Sequence, residues 1–215
     1  MKITKTELKS LIKQLVEEAV KPGLKPASLY IGSFQPPTLG HRSAVEQMVS
    51  DGKGTPVVIV SGNSAKSSRF KEVVPLATKV ELMETMTKGL NTVVLGQEGK
   101  DMWIGTILQR LEDEGFYLSA LYAGPDRIGF YKSVLRKPMS KADPEIIGEK
   151  FGILEADKLN VEFPLDTAER FAVDGIPVSG TTVRQSLIDG DDELFNKLTG
   201  GYYSAKQYEY LKSIV

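Results

Sequence analysis

The residue types able to do chemistry in this chain of 215 residues gather in two short segments. The first is GSFQPPTLGH, residues 32–41. Gly32 lets backbone come close to a ligand, and Pro36 and Pro37 stiffen the turn. Thr38, Gly40 and His41 fall at the expected start of a helix, where free N–H groups and the dipole attract phosphate. Gly40 leaves room beside that phosphate, and His41 can donate to a phosphoryl oxygen. His41 is the only histidine, so any imidazole chemistry must use it. The second segment is VSGTTVR, residues 178–184. Ser179, Thr181 and Thr182 are cap-type residues beside Gly180, ahead of an apolar-periodic helix. Arg184 is expected within the first turn of that helix, where a cation opposes the dipole. A bound phosphate explains such a residue better than helix stability does.

These segments need elements to hold them. Short, uniformly apolar strands are expected at residues 28–33, 56–61, 92–95 and 118–123. Helices are expected between and after them at 38–49, 76–87, 102–111 and 125–135. Such alternation argues for a parallel sheet covered on both faces, a Rossmann-like, doubly wound α/β domain. Ligands in such sheets bind beyond the carboxyl ends of the strands, at the switch in strand order. The loop of residues 32–41 follows the first strand and opens a helix, which is that place. Neither the dinucleotide fingerprint GxGxxG nor a Walker A loop occurs. Helices are also expected at 181–188, 193–198 and 204–214. Residues 136–150 read as a charged loop. Within residues 151–178, FGILEAD and LNVEF can form short strands, and AVDGIPVSG is expected to end in one.

GxFxPxTxGH after the first strand, with SGTxxR near the C-terminus, resembles the nucleotidyltransferase superfamily named for its (H/T)xGH motif. That family includes pantetheine-phosphate adenylyltransferase, nicotinamide-mononucleotide adenylyltransferase and the cytidylyltransferases. The loop SGNSAKSS from Ser61, with Lys66, and the helix LATKVELMETM are similar to the family's polar loop and following helix. Ala123, Gly124 and Asp126 stand where members carry a GxD that meets the nucleotide. The closing forty residues resemble the archaeal nicotinamide-mononucleotide enzymes in layout. The first motif position is Thr38 rather than His, a variant that part of the family carries. The cytidylyltransferase form of the second motif, with an Arg before a glycine–isoleucine pair, is not matched, which favours ATP over CTP.

The resemblance implies transfer of a nucleoside monophosphate from ATP or CTP to a small phosphorylated acceptor, with release of pyrophosphate. His41, Thr38, Arg184 and Lys66 are then the catalytic set. Gly32, Ser33, Phe34, Gly40, Gly124, Asp126, Ser179, Gly180, Thr181 and Thr182 line the nucleotide. Mg²⁺ is carried mainly by the nucleotide phosphates, so no metal residue is named. Plainer readings stand beside these. His41 can be a surface cap, Lys66 a loop lysine, and Asp126 a turn residue beside Pro125. Trp103 and tyrosines 202, 203, 208 and 210 read as packing rather than a base-stacking platform. Lys79 reads as part of a solvated helix face. RKPMSK, residues 136–141, is similar to the lysine loop of class I aminoacyl-tRNA synthetases, but the chain is too short for a full synthetase and the loop reads as a solvated basic turn.

Composition excludes other classes. No cysteine is present, which rules out disulfides, cysteine zinc sites and a thiol nucleophile. The formal net charge of -1 gives no global pull toward nucleic acid or membrane. No apolar run approaches the roughly 20 residues that span a bilayer. The N-terminus does not read as a signal peptide, and a cytoplasmic location is expected. Residues 5–20 read as an amphipathic helix followed by the breaker KPGLKP, so residues 1–24 are set apart from a nucleotidyltransferase domain at 25–215. That helix packs on its own domain or docks a partner chain or second copy. The alternative function uses it that way: a nucleotide-binding or structural module without turnover. Thr38, Gly40, His41 and Arg184 in their motif places argue for turnover.

Overall fold

The computed structural model describes residues 23–62, 72–99, 102–151, 161–162 and 171–215. The expected helix at 5–20 and Lys66 lie outside these residues.

Four strand–helix units build the body. Strand β1 is Lys25–Gly32, followed by helix α1, Leu39–Asp51. Strand β2, Thr55–Ser61, precedes α2, Leu76–Met86. Strand β3, Val93–Gln97, precedes α3, Ile104–Asp113. Strand β4, Phe116–Tyr122, precedes α4, Pro125–Val134, with proline in the first turn where its missing N–H costs nothing. A four-residue helix α5, Ile147–Lys150, leads to β5, Val161–Glu162. The sheet order is β3-β2-β1-β4-β5, and all four pairings are parallel. The fold is therefore the expected Rossmann-like doubly wound sheet. Its strands read as continuous apolar runs because both faces are buried. Leu29, Val57, Ile59 and Leu121 face the layer that contains α3, where Ile104, Ile107, Leu108 and Leu111 recur at helical spacing. Val58, Val60, Ala120 and Tyr122 face the other layer, against Val45, Met48 and Met83.

Strand β1 is central, with β2 on one side and β4 on the other. The chain winds outward through β3 and then crosses back to β4, so the switch point lies between β1 and β4. In such sheets ligands bind there, beyond the carboxyl ends of the strands.

The C-terminal part adds a hairpin and three helices. Strands β6, Ala172–Val173, and β7, Ile176–Pro177, pair antiparallel. Asp174 and Gly175 between them have φ of 51° and 77°, the doubly left-handed turn that a D-G pair favours. Helices α6 (Gly180–Asp189), α7 (Asp192–Thr199) and α8 (Ala205–Ser213) follow. Val183, Leu187, Phe195, Leu198, Leu211 and Ile214 form a second core cluster with Val74 and Leu82. Residues 136–150 are more ordered than a charged loop suggests. Pro138 and Ile146 form an antiparallel bridge, and Ile147 and Phe151 enter the main core. Arg136, Lys137 and Lys141 of the RKPMSK turn are exposed.

Candidate active site

Thr38 is the N-cap of α1, with extended φ of -136°. T-L-G-H here is a capping box in which an imidazole takes the place usual for Glu or Gln. The Thr38 backbone N–H donates to His41 Nδ1 at 2.9 Å, and the Thr38 hydroxyl lies 3.1 Å from the same nitrogen. Ser179 caps α6 in the same way. Its Oγ accepts the Thr182 N–H at 3.2 Å, and Thr182 Oγ1 accepts the Ser179 N–H at 2.9 Å. Both motifs are thus helix N-termini closed by reciprocal side-chain caps.

The structure brings the two together. The Arg184 guanidinium donates through Nη1 to the Gln35 carbonyl and through Nη2 to Thr181 Oγ1 at 3.1 Å. A methyl group at Gly180 would stand 3.1 Å from Arg184 Nη1 and 3.2 Å from the Gln35 carbonyl oxygen. Glycine is what lets the α6 N-terminus close on the first loop. Arg184 is the fifth residue of α6, one past the first turn expected for it, and its long side chain reaches back to that turn. Tyr203, ahead of α8, donates its hydroxyl to the Pro37 carbonyl at 2.7 Å.

The loop between β1 and α1 is tightly made. Gln35–Pro36 is cis, and Phe34 has φ of 46°, the left-handed region that bulky residues avoid. The Phe34 ring holds that conformation by packing. It meets His41 edge-on at 5.0 Å and Tyr30 at 5.4 Å. A methyl at Gly32 would stand 2.7 Å from the Phe34 ring. Gly32 therefore makes room for the Phe34 ring. At Gly40 a methyl would find only ordinary contacts, 3.5 Å from the Val178 carbonyl oxygen. Ser33 is exposed.

Burial lowers the His41 pKa from its ordinary 6.5 to about 4, so the ring is neutral at pH 7. The Thr38 amide can only donate, so it presents a donor to Nδ1. Thr38 is 1% exposed, and its hydroxyl lies beside His41 Nδ1. Gly124 is the N-cap of α4 and Asp126 falls in that helix's first turn, at the carboxyl end of β4; the Asp126 side chain lies outside the described part.

Lys79 corrects an expectation. It is 1% exposed, and its ammonium donates to the Ser61 carbonyl at 3.1 Å, at the carboxyl end of β2. Desolvation lowers its pKa. The signal was present: Lys79, Leu82, Met83 and Met86 share one stripe of α2, so a lysine stands in a core position. The Tyr203 bond to the first loop had no such signal, since it joins positions 166 apart.

Residues 29–109 match the family model described as cytidylyltransferase-like. That part of the chain is similar to the cytidylyltransferase-like domain. The matched part runs from β1 into α3 and holds the first motif, while SGTTVR lies beyond it. Three solved structures are similar over most of the chain. A nicotinic acid mononucleotide adenylyltransferase of Plasmodium falciparum, complexed with APC, is 14% identical with a TM-score of 0.52, over 88% of this chain and 95% of that one. A protein assigned as a nicotinate-nucleotide adenylyltransferase from Vibrio parahaemolyticus is 16% identical with a TM-score of 0.48, over 87% and 99%. Thermotoga maritima TmcAL, bound with alpha-thio ATP, is 13% identical with a TM-score of 0.47, over 88% and 56%. Comparison with curated proteins gives no match. The paired helix N-termini lie at the carboxyl end of β1, at the switch point of the sheet. No described helix is long and apolar enough to cross a membrane.

Proposed function

We propose that this domain moves a nucleoside monophosphate from ATP, with CTP as runner-up, to a small phosphorylated acceptor in the cytoplasm. The supporting observation is the pair of capped helix N-termini tied by Arg184 across the first loop. An acceptor phosphate oxygen bonds to the α-phosphorus in line as the bond to the bridging oxygen breaks, and pyrophosphate leaves. No side chain forms a covalent bond, so catalysis is positioning and charge stabilisation. His41 donates from Nε2–H to an α-phosphate oxygen as charge builds there. Arg184 and the amides near Thr181 hold the β,γ-phosphates. Gly124 and Asp126 flank the nucleoside, and Lys66 serves the phosphates from its polar loop. Mg²⁺ would be carried mainly by the triphosphate and would offset phosphate charge there.

The experiment is pyrophosphate release from each nucleoside triphosphate with pooled phosphorylated metabolites. ATP with Mg²⁺ should also raise the melting temperature, since a ligand of the native state stabilises it by mass action. His41→Ala should lower kcat by roughly 10²–10³, the size of one lost transition-state donor. ATP binding should change much less. No melting shift with any triphosphate at millimolar levels removes the reading, and release from CTP alone reverses the order of bases.

A further inference from the structure

We propose that Thr38 is a positioning residue that locks the sole imidazole, His41, as its Nε2–H tautomer by aiming both its backbone N–H and its buried hydroxyl at Nδ1. A hydroxyl can donate or accept, but an amide N–H can only donate. The 2.9 Å bond from the Thr38 amide therefore fixes Nδ1 as an acceptor. The hydroxyl, 3.1 Å from the same atom and sealed at 1% exposure, adds a second donor with no competing water. The ring cannot turn away, because Phe34 meets it edge-on at 5.0 Å and Tyr30 lies at 6.4 Å. Among the described residues no protein hydrogen bond engages Nε2. What the imidazole offers a ligand is then a fixed donor. A transferring phosphoryl group presents only acceptor oxygens, so the wrong tautomer would meet it lone pair to lone pair. On this account the threonine of the first motif works through histidine and makes no phosphate contact of its own.

The tautomer itself does not depend on the nucleotidyl-transfer reading; only its effect on turnover rests on that reading. A single histidine makes the test direct. The full chain, labelled with ¹⁵N, gives one pair of imidazole nitrogens in a long-range proton–nitrogen spectrum, and His41→Gln removes that pair to prove the assignment. At pH 7 the wild type should show Nε2 protonated and Nδ1 bare. In Thr38→Val the Nδ1 resonance should move, and kcat should fall about two- to tenfold, the worth of one neutral hydrogen bond, with little change in KM for ATP. Thr38→Ser should restore both. A wild-type spectrum showing Nδ1–H, an even mixture or an imidazolium overturns the proposal, whether or not the variants fold. An Nδ1 resonance unmoved in Thr38→Val overturns the part given to the hydroxyl. Absence of turnover in the wild type would strike the transfer reading and leave the tautomer result standing.

Discussion

At the residue scale His41 carries a charge rule that solution measurements can reach. Its folded pKa of about 4 lies below the ordinary 6.5. Above pH 6.5 the ring is neutral in both states, and its contribution to stability is fully present. As pH falls from 6.5 toward 4 the unfolded chain takes up a proton that the folded chain refuses, so stability is lost. The loss approaches about 3 kcal/mol by pH 4. Urea unfolding of wild type and His41→Gln at pH 7, 5.5 and 4.5 isolates it, because the carboxylates common to both cancel. The wild type should lose its stability faster than the variant over that window; parallel curves would place the imidazole in water. The sequence made the position of His41 legible, since a helix start after an apolar strand is a local pattern. It did not make the tautomer legible, because that depends on which atom of Thr38 faces which nitrogen.

Elements were read well where their signal is local. The strands and helices of the β1–α4 body stand within a few residues of expectation, because period and breaker residues fix them. Faces were read less well, and α2 shows why. Sorting by residue type put Lys79 in water, while sorting by spacing puts it beside Leu82, Met83 and Met86 in the core. The two readings predict different energies. A surface lysine changes stability by less than about 0.5 kcal/mol when truncated. A buried one leaves a cavity and strips the Ser61 carbonyl of a donor, so Lys79→Ala should cost about 2 kcal/mol or more. Lys79→Met keeps the volume and removes a desolvated charge, and it should cost clearly less than Ala. Denaturant midpoints of the three proteins decide it, and a silent Lys79→Ala would return α2 to a solvated face.

At the scale of the whole molecule the site is one object made from two ends of the chain. The first loop follows β1, yet its Gln35 and Pro37 carbonyls are held by Arg184 and Tyr203 from the C-terminal part of the chain. No periodicity reports a bond across 149 positions; only the motif pair hinted that the ends meet. Arg184 thus has two candidate duties, tying the loop and gripping the β,γ-phosphates, and they separate by ligand. A guanidinium is a planar fork that can hold a carbonyl and a phosphate oxygen together, while lysine is a single compact charge. If the grip on the leaving group matters, Arg184→Lys should lower kcat/KM for ATP clearly. Arg184→Ala should lower it further, by roughly 10- to 100-fold, the size of a charge-assisted bond. Binding of AMP, which lacks the leaving group, should change little in either variant. The measurements are kcat/KM for ATP, the Kd of AMP and the melting temperature of each protein. If ATP and AMP lose equally and the melting temperature falls with them, Arg184 serves the loop alone, and the β,γ-phosphates depend on the amides of α6.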